Sequence, residues 1–240
     1  MVWVIEAEDN RTLLPSAAMS VYTVRILKSE FITPDVKRFV VTKPAGLTFL
    51  PGQGCMLAID QDVWRDMWRP FTFTSLPEAR TLEFIVKIYD ERQGVTRMMG
   101  LLRKDDKLLV KDVFGTITYK GPGTFFAAGA GITPFIPIFR DLYKKKALGD
   151  CTLIYSNKTV YDVILDRELT KMLGKRYLNI FTRQNVVGFQ ERRIDRDLLI
   201  TLVQDFDRYF YICGPQTFVD NINGMLITLG ASAESLVFES

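Results

Sequence analysis

The 240-residue sequence has no histidine, only three cysteines and no long apolar run. The absence of histidine excludes serine-histidine-acid hydrolysis and histidine-ligated metal sites. Cys55, Cys151 and Cys213 are too scattered for a zinc site and too few for a four-cysteine iron-sulfur cluster. Because no apolar stretch approaches the ~20 residues that span a bilayer, we expect no membrane insertion.

An excess of one charge is also missing, because the formal net charge is only +3 and basic and acidic residues are interleaved. This composition argues against nucleic acid as a partner. The N-terminus lacks a cationic segment followed by an apolar one, so the sequence predicts a reduced, cytoplasmic protein. Chemistry carried by a bound cofactor fits such a chain.

Residues 1–18 show no sustained hydrophobic period, and we interpret them as an N-terminal extension that precedes the ordered fold. From residue 19 to about residue 120, short segments rich in Val, Ile, Phe and Tyr are punctuated by Pro, Gly and Asp. This pattern is typical of an antiparallel barrel or sandwich. The predicted elements are strands at Tyr22 to Ser29, Val36 to Thr42, Cys55 to Asp60, Arg69 to Ser75, Leu82 to Tyr89, Lys107 to Val113 and Thr116 to Tyr119, and one helix at Thr96 to Leu102.

Residues 121–240 follow a different pattern, in which apolar strands alternate with helices. This alternation predicts a parallel sheet wound with helices, and such sheets bind ligands outside the carboxyl ends of their strands. The predicted elements are strands at Phe125 to Ala128, Thr152 to Tyr155, Leu178 to Thr182, Tyr209 to Cys213 and Leu236 to Phe238, and helices at Thr133 to Leu148, Asp162 to Leu173, Asp195 to Phe206 and Gln216 to Leu229.

The segment from Arg69 to Ser75 carries groups that suit a flat, anionic cofactor. A guanidinium matches a pyrophosphate, an aromatic ring can lie against a heterocycle, and a hydroxyl can bond a ring nitrogen. Strand alternation places Arg69, Phe71, Phe73 and Ser75 on one face. The alternative is an ordinary barrel strand with one surface arginine.

A second candidate lies where Lys87-Ile88-Tyr89 ends a predicted strand and Gly94-Val95-Thr96 begins the helix after it. Amide groups at a helix start favour an anion such as a phosphate. The alternative is that Thr96 only caps its own helix.

The turn Gly129-Ala130-Gly131-Ile132-Thr133-Pro134 follows an apolar strand and opens a helix. The glycines would let a pyrophosphate approach the backbone, although the spacing is not the full three-glycine dinucleotide fingerprint. Thr133 is the predicted N-cap and Pro134 the predicted first helical residue. The alternative is a simple turn from strand to helix.

These motifs, together with Cys213-Gly214-Pro215, resemble the ferredoxin-NADP reductase superfamily in order and spacing, from about residue 20 to the end of the sequence. The resemblance implies a two-domain fold. An antiparallel β-barrel would bind FAD over residues 19–120, and an α/β domain would bind NAD(P) over residues 121–240, without an iron-sulfur domain. FAD is favoured over FMN, with NADPH or NADH as cosubstrate.

The resemblance also implies roles for single residues. Thr72 would bond flavin N5 and Cys213 would lie beside the nicotinamide, and these two are the predicted catalytic residues. The other residues implied to bind the flavin are Arg69, Pro70, Phe71, Lys87, Ile88, Tyr89, Gly94, Val95 and Thr96. Those implied to bind the nucleotide, beside Cys213, are Gly129, Gly131, Ile132, Thr133, Pro134, Thr182, Arg183, Gly214 and Pro215.

One departure from the family pattern and one match to it affect the expected chemistry. Phe71 stands where relatives commonly have tyrosine, so ring stacking is kept and a phenol hydrogen bond is lost. Thr182-Arg183-Gln184 stands where many NADP-binding members have a serine-arginine pair, and Arg183 with Lys158 would hold a 2′-phosphate. This favours NADPH, with a solvated strand-end charge as the alternative role of Arg183.

The activity that the resemblance implies is that of an NAD(P)H oxidoreductase. A hydride would pass to FAD, and electrons would then pass singly to a separate carrier such as ferredoxin or flavodoxin. Two alternatives stay open: an NAD(P)H-dependent reductase of free flavin or ferric chelates, and a non-catalytic flavin-binding electron-transfer subunit of a larger complex.

Overall fold

The structure is a computed structural model that describes residues 20–91, 93–115, 117–183 and 192–238. The predicted N-terminal extension, residues 1–18, lies outside the described residues, as does Gln184. Within the described part of the chain, eleven strands form two sheets, accompanied by five α-helices.

The first sheet is antiparallel and has six strands. They are β1 (Tyr22–Thr33), β2 (Val36–Thr42), β3 (Gln53–Ile59), β4 (Arg69–Thr72), β5 (Thr81–Lys87) and β6 (Lys107–Gly115), in the spatial order β4-β3-β6-β1-β2-β5. The two edges meet where the Thr74 N–H, just past β4, donates to the Glu83 carbonyl of β5 at 2.9 Å. Inward side chains such as Phe39 and Phe84 form one buried cluster, and helix α1 (Val95–Leu101) adds Val95 to it. The sheet therefore forms the antiparallel barrel that the sequence predicts.

The second sheet is parallel, as predicted, and is connected by helices. Its strands are β7 (Gly123–Ala128), β8 (Thr152–Asn157), β9 (Tyr177–Phe181), β10 (Tyr209–Cys213) and β11 (Leu236–Phe238), and its helices are α2 (Phe135–Lys144), α3 (Asp166–Leu173), α4 (Arg196–Leu202) and α5 (Gln216–Thr228). The spatial order is β11-β10-β7-β8-β9. The chain adds β8 and β9 on one side of β7 and then β10 and β11 on the other side, so the strand order reverses between β7 and β10. Ligands bind sheets of this type in the crevice at such a reversal.

Both faces of the parallel sheet are covered, which explains its nearly continuous apolar strands. Phe125 points into a buried cluster shared with α2 and α3, whereas Phe126 points into a second cluster shared with α4 and α5. Val36 and Ile85 of the barrel join the first of these clusters. The two sheets are therefore joined through a common apolar junction.

Several predicted helix boundaries are wrong. The helix predicted from Thr133 begins at Phe135, because residues 129–132 form a 3₁₀ turn, and it ends at Lys144 rather than Leu148. The helix predicted from Asp162 begins at Asp166, because Asp162 belongs to a separate 3₁₀ turn.

Two further elements differ from their predicted bounds. Helix α4 is capped by the Asp195 side chain as its N-cap and ends at Leu202, before the predicted Phe206. The predicted strand Thr116 to Tyr119 is not formed at residues 117–119, and Thr116 lies outside the described residues.

The change from one sheet to the other falls between Gly115 and Gly123. A domain boundary at residue 120 stays a prediction. Among the described helices, none is long and apolar enough to cross a bilayer.

Candidate active site

The carboxyl ends of β7, β8, β9 and β10 open into a cleft of about 840 Å³ at the point where the strand order reverses. The turns after these strands line it together with residues from the end of β5. The predicted site residues along this cleft are Lys87, Tyr89, Gly129, Gly131, Thr133, Thr182, Arg183, Cys213, Gly214 and Pro215.

The two glycines after β7 are glycine for different reasons. Gly129 has φ of +53°, and a Cβ there would meet nothing within 4 Å, so this part of the turn faces open space. A Cβ on Gly131 would lie 2.6 Å from the Gly214 nitrogen and closer still to the Cys213 carbonyl oxygen. Gly131 therefore lets the turn pack on the end of β10. Both glycines also line the cleft, and the approach of a pyrophosphate to their backbone stays a prediction.

Thr133 is not the N-cap of α2, contrary to the prediction. Its backbone is helical and its hydroxyl donates to the Ala130 carbonyl at 3.0 Å, while Pro134 holds the N-cap position without a side-chain cap. The 3₁₀ turn runs directly into α2 and leaves no extended residue to act as a cap. Ile132 is fully buried in the core.

Tyr155 on β8 holds the glycine turn through a hydrogen bond. Its ring is fully buried, and its hydroxyl donates to the Gly129 carbonyl at 2.8 Å. Burial raises the pKa of Tyr155, so the phenol stays protonated and keeps donating this hydrogen bond. The left-handed conformation of Gly129 is thus held by a side chain of the neighbouring strand.

Three cationic residues, Lys158, Arg183 and Arg193, line the cleft beyond β8 and β9. The Arg183 N–H donates to the Lys158 carbonyl at 3.0 Å, and the Arg192 N–H donates to the Phe181 carbonyl at 2.9 Å. These backbone hydrogen bonds hold the three cation-bearing segments next to one another. Arg193 was not predicted from the sequence, because it lies nine residues beyond the motif Thr182-Arg183-Gln184.

The three cations outnumber the one carboxylate among the described lining residues, Asp162. Asp162 accepts hydrogen bonds from the Thr159 N–H at 2.8 Å and from the Thr159 hydroxyl at 2.6 Å. Its oxygen is therefore engaged in capping a turn. Guanidinium and ammonium groups so arranged are suited to a phosphate.

A smaller recess of about 220 Å³ lies on the barrel side. Its barrel walls are formed by Pro70, Phe71, Thr72, Ile85, Thr96 and Phe114. Lys87, Tyr89, Ala130 and Thr133 line both this recess and the larger cleft, so the two cavities adjoin at the glycine turn. The partly exposed ring of Phe71 gives the recess a flat apolar surface.

The strand that carries Phe71 does not keep the predicted alternation. β4 ends at Thr72, and the residues that follow are buried: Phe73 is fully buried and Ser75 is 6% exposed. Arg69 remains exposed, and its guanidinium donates to the Trp68 carbonyl at 2.7 Å. The predicted strand from Arg69 to Ser75 is therefore too long, and its alternation can apply only as far as Thr72.

Helix α1 begins without a side-chain cap. Gly94 is its N-cap residue, and within the described part of the chain no side-chain cap hydrogen bond is formed there. The alternative that Thr96 caps this helix is therefore wrong, and Thr96 lines the recess instead. The uncapped amides are hydrogen-bond donors that suit an anion.

Lys87 lines both cavities, with its ammonium ion-paired to Asp35 in the turn between β1 and β2. Cys213 is 5% exposed at the end of β10, opposite Ala127 of β7, and it lines the larger cleft. Six predicted residues line neither cavity: Arg69, Ile88, Gly94, Val95, Ile132 and Pro134. Besides Arg193, the α5 residues Thr217, Phe218 and Asn221 line the larger cleft and carry no motif that marks them in the sequence.

Comparison with known proteins gives a family match for the second half of the chain. Residues 125–223 match the model of the oxidoreductase NAD-binding domain. NADH-cytochrome b5 reductase 2 of Mycosarcoma maydis is 27% identical over 209 residues, covering 77% of this chain and 59% of that protein. NADH oxidoreductase HCR of Escherichia coli K12 is 26% identical over 207 residues, covering 83% and 62%. The chain thus spans about three fifths of these relatives.

Solved structures share the fold at low identity. The flavohem-like FAD/NAD-binding domain of nitric oxide dioxygenase from Vibrio cholerae has a TM-score of 0.79 at 19% identity, covering 90% of this chain and 97% of that one. The ferredoxin NADP⁺ reductase from Neisseria gonorrhoeae, with bound FAD and NADP, has a TM-score of 0.75 at 20% identity, covering 88% and 92%. Residues 125–223 thus match an oxidoreductase NAD-binding domain, and the chain shares the fold of these FAD- and nucleotide-binding structures.

Proposed function

We propose that the protein is a flavoprotein oxidoreductase that passes a hydride from NAD(P)H to FAD and then electrons to a carrier. The observation that carries this proposal is the junction of the two cavities. The recess at Phe71 and Thr72 adjoins the nucleotide cleft at the glycine turn, and four residues line both. Two flat ring systems held in these cavities would meet there.

FAD fits the residues on the barrel side. Phe71 offers a ring face, Pro70 and Thr72 flank it, and the uncapped start of α1 at Gly94-Val95-Thr96 offers amide donors to a pyrophosphate. Arg69 has an exposed guanidinium in no ion pair with a described carboxylate. The flavin would supply the chemistry of accepting a hydride and releasing single electrons. The chain would orient the two rings and exclude water from between them.

NAD(P)H would occupy the larger cleft, with its pyrophosphate at the turn that Tyr155 fixes. Gly129 leaves space for the approach of a ligand, and Cys213 would lie beside the nicotinamide. Lys158, Arg183 and Arg193 favour NADPH over NADH, because a 2′-phosphate is the additional anion that three cations would bind.

The proposed electron acceptor is a small carrier protein of the ferredoxin or flavodoxin type. Relatives include the ferredoxin reductase component of 3-ketosteroid-9-alpha-monooxygenase and the electron transfer component of anthranilate 1,2-dioxygenase. The cytoplasm is the proposed compartment, since the three cysteines are buried thiols that form no disulfide.

The test is reconstitution of the purified chain with FAD, followed by anaerobic addition of NADPH or NADH and then a panel of acceptors. We expect flavin uptake, bleaching by NADPH, and reoxidation that saturates at low carrier concentration and weakens with salt. Rapid reoxidation by free flavin or ferric chelates alone would favour a small-molecule reductase. Flavin uptake without bleaching by either nucleotide would favour a non-catalytic flavin-binding subunit.

A further inference from the structure

Arg140 on α2 lies at the junction between the barrel and the parallel-sheet half. Its side chain is 16% exposed. Arg140 Nε and Nη2 donate hydrogen bonds of 2.6 and 3.0 Å to the two carboxylate oxygens of Glu168 on α3. The remaining nitrogen donates to the barrel, at 2.6 Å to the Glu83 carboxylate and at 2.7 Å to the Thr74 carbonyl.

Glu83 on β5 is itself fixed within the barrel. Its side chain is 8% exposed, and it accepts hydrogen bonds from Arg38 Nε at 2.7 Å and from the Thr74 hydroxyl at 2.9 Å. Burial alone would raise the pKa of Glu83, but the guanidinium groups of Arg140 and Arg38 lower it below the ordinary value. The carboxylate therefore stays charged and presents a fixed partner to Arg140.

The positions of these groups in the chain connect them to the two cavities. Thr74 follows Thr72, the last residue of β4 and a wall of the smaller recess. β5 carries both Glu83 and Lys87, and Lys87 lines both cavities. Helix α2 begins where the turn at residues 129–132 ends. Arg140 therefore joins the element behind one cavity to the element behind the other.

We propose that Arg140 is a positioning residue that sets the distance between the recess at Phe71 and the nucleotide turn. The inference rests on the proposed function, in which a hydride crosses between these two places. The other contacts at the junction include the apolar side chains Val36 and Ile85, and apolar contacts tolerate sliding. A guanidinium fork fixes one geometry. A misplacement of about 1 Å between reacting groups can lower a rate about 100-fold.

The test compares Arg140→Lys and Arg140→Gln with wild type after reconstitution with FAD. Rapid mixing with saturating NADPH should show flavin reduction slowed at least about 10-fold in Arg140→Gln and less in Arg140→Lys, consistent with the distance dependence. Flavin content and the affinity for NADP⁺ should change by less than about 3-fold, since no described wall of either cavity is altered. A residue with only a structural role would not produce this separation between rate and binding.

The matched control is Lys144→Gln. Lys144 also joins α2 to the barrel, through an ion pair with Glu78, but the two side chains are 57% and 50% exposed. An exposed pair contributes little, so the rate should stay within about 2-fold of wild type. A second readout needs no flavin: amide hydrogen exchange of residues 73–75 and 135–140 should accelerate together in Arg140→Gln and stay unchanged in Lys144→Gln.

If the Arg140 variants do not fold, Glu83→Gln decides the question, because it keeps the size of the side chain and removes the charge. Its flavin reduction should also slow at unchanged nucleotide affinity. Wild-type rates in every folded variant, or losses matched by lost flavin or nucleotide binding, would overturn the proposal. A wild-type protein that takes up flavin but is not reduced by NADPH would instead show that the proposed function is wrong.

Discussion

Gly131→Ala is the substitution whose effect the structure predicts most directly. A Cβ at this position would lie 2.5 Å from the Cys213 carbonyl carbon and 2.6 Å from the Gly214 nitrogen, against ordinary contacts of 3.4 Å or more. Both atoms belong to the backbone at the end of β10, which is paired with β7 up to Cys213 and Ala127. Neither neighbour can rotate away, so the strand ends must separate.

Overpacking of this kind typically costs about 1–3 kcal/mol, and because the clash is with backbone atoms we expect Gly131→Ala to cost ~3 kcal/mol. For a chain of this size, about 2–4 °C per kcal/mol predicts a melting temperature lowered by about 6–12 °C. We also expect NADP⁺ affinity to fall at least about 10-fold, because the altered strand ends line the cleft. Thermal unfolding and calorimetric titration measure the two effects.

Gly224 and Gly129 provide matched controls. Gly224 lies within α5 and a Cβ there would meet nothing within 4 Å, so Gly224→Ala should stabilise the protein by up to ~1 kcal/mol. Gly129→Ala has equal space but a left-handed backbone, and should cost ~1–2 kcal/mol. If Gly131→Ala melts within about 2 °C of wild type, the packing of the turn on β10 is not as described.

Three further predictions concern single side chains. Arg183→Ala should raise the Michaelis constant for NADPH at least about 10-fold and that for NADH less than about 2-fold, and equal effects would contradict a 2′-phosphate site. Arg69→Ala should lose FAD faster on dialysis than Arg25→Ala, an exposed control on β1, and equal retention would remove Arg69 from the flavin site. The stability that Glu83 contributes is present above its ordinary pKa of 4.5 and lost as the pH falls through its lowered folded pKa. In Glu83→Gln, the free energy of unfolding should therefore fall less steeply than in wild type as the pH is lowered. An equally steep fall in both proteins would refute the pairing with Arg140.

Much of the fold follows from local patterns in the sequence. The run Phe125 to Ala128 is apolar on both faces, which predicts a strand in a covered parallel sheet, and β7 occupies it. Short strands broken by Pro and Gly predict the barrel in the same way. These signals depend on neighbours in sequence, so element types and order are predictable even where helix ends are displaced.

The parts that were missed depend either on where one element ends and the next begins or on contacts between distant segments. Thr133 has the residue type of a cap, but the preceding turn continues into the helix and removes the capping position. Phe73 alternates correctly with Phe71 in sequence, yet the chain leaves the strand at Thr72. Arg140 and Glu83 are 57 residues apart, and nothing local to either marks the ion pair.

In the proposed function, a flavin and a nicotinamide nucleotide meet where the two cavities join. The most direct measurement is anaerobic addition of NADPH to the FAD-reconstituted protein while the flavin absorbance is recorded. We expect a yellow protein that bleaches with one equivalent of NADPH for each bound flavin. A protein that takes up no flavin, or one whose bound flavin keeps its colour with both NADPH and NADH, would contradict it.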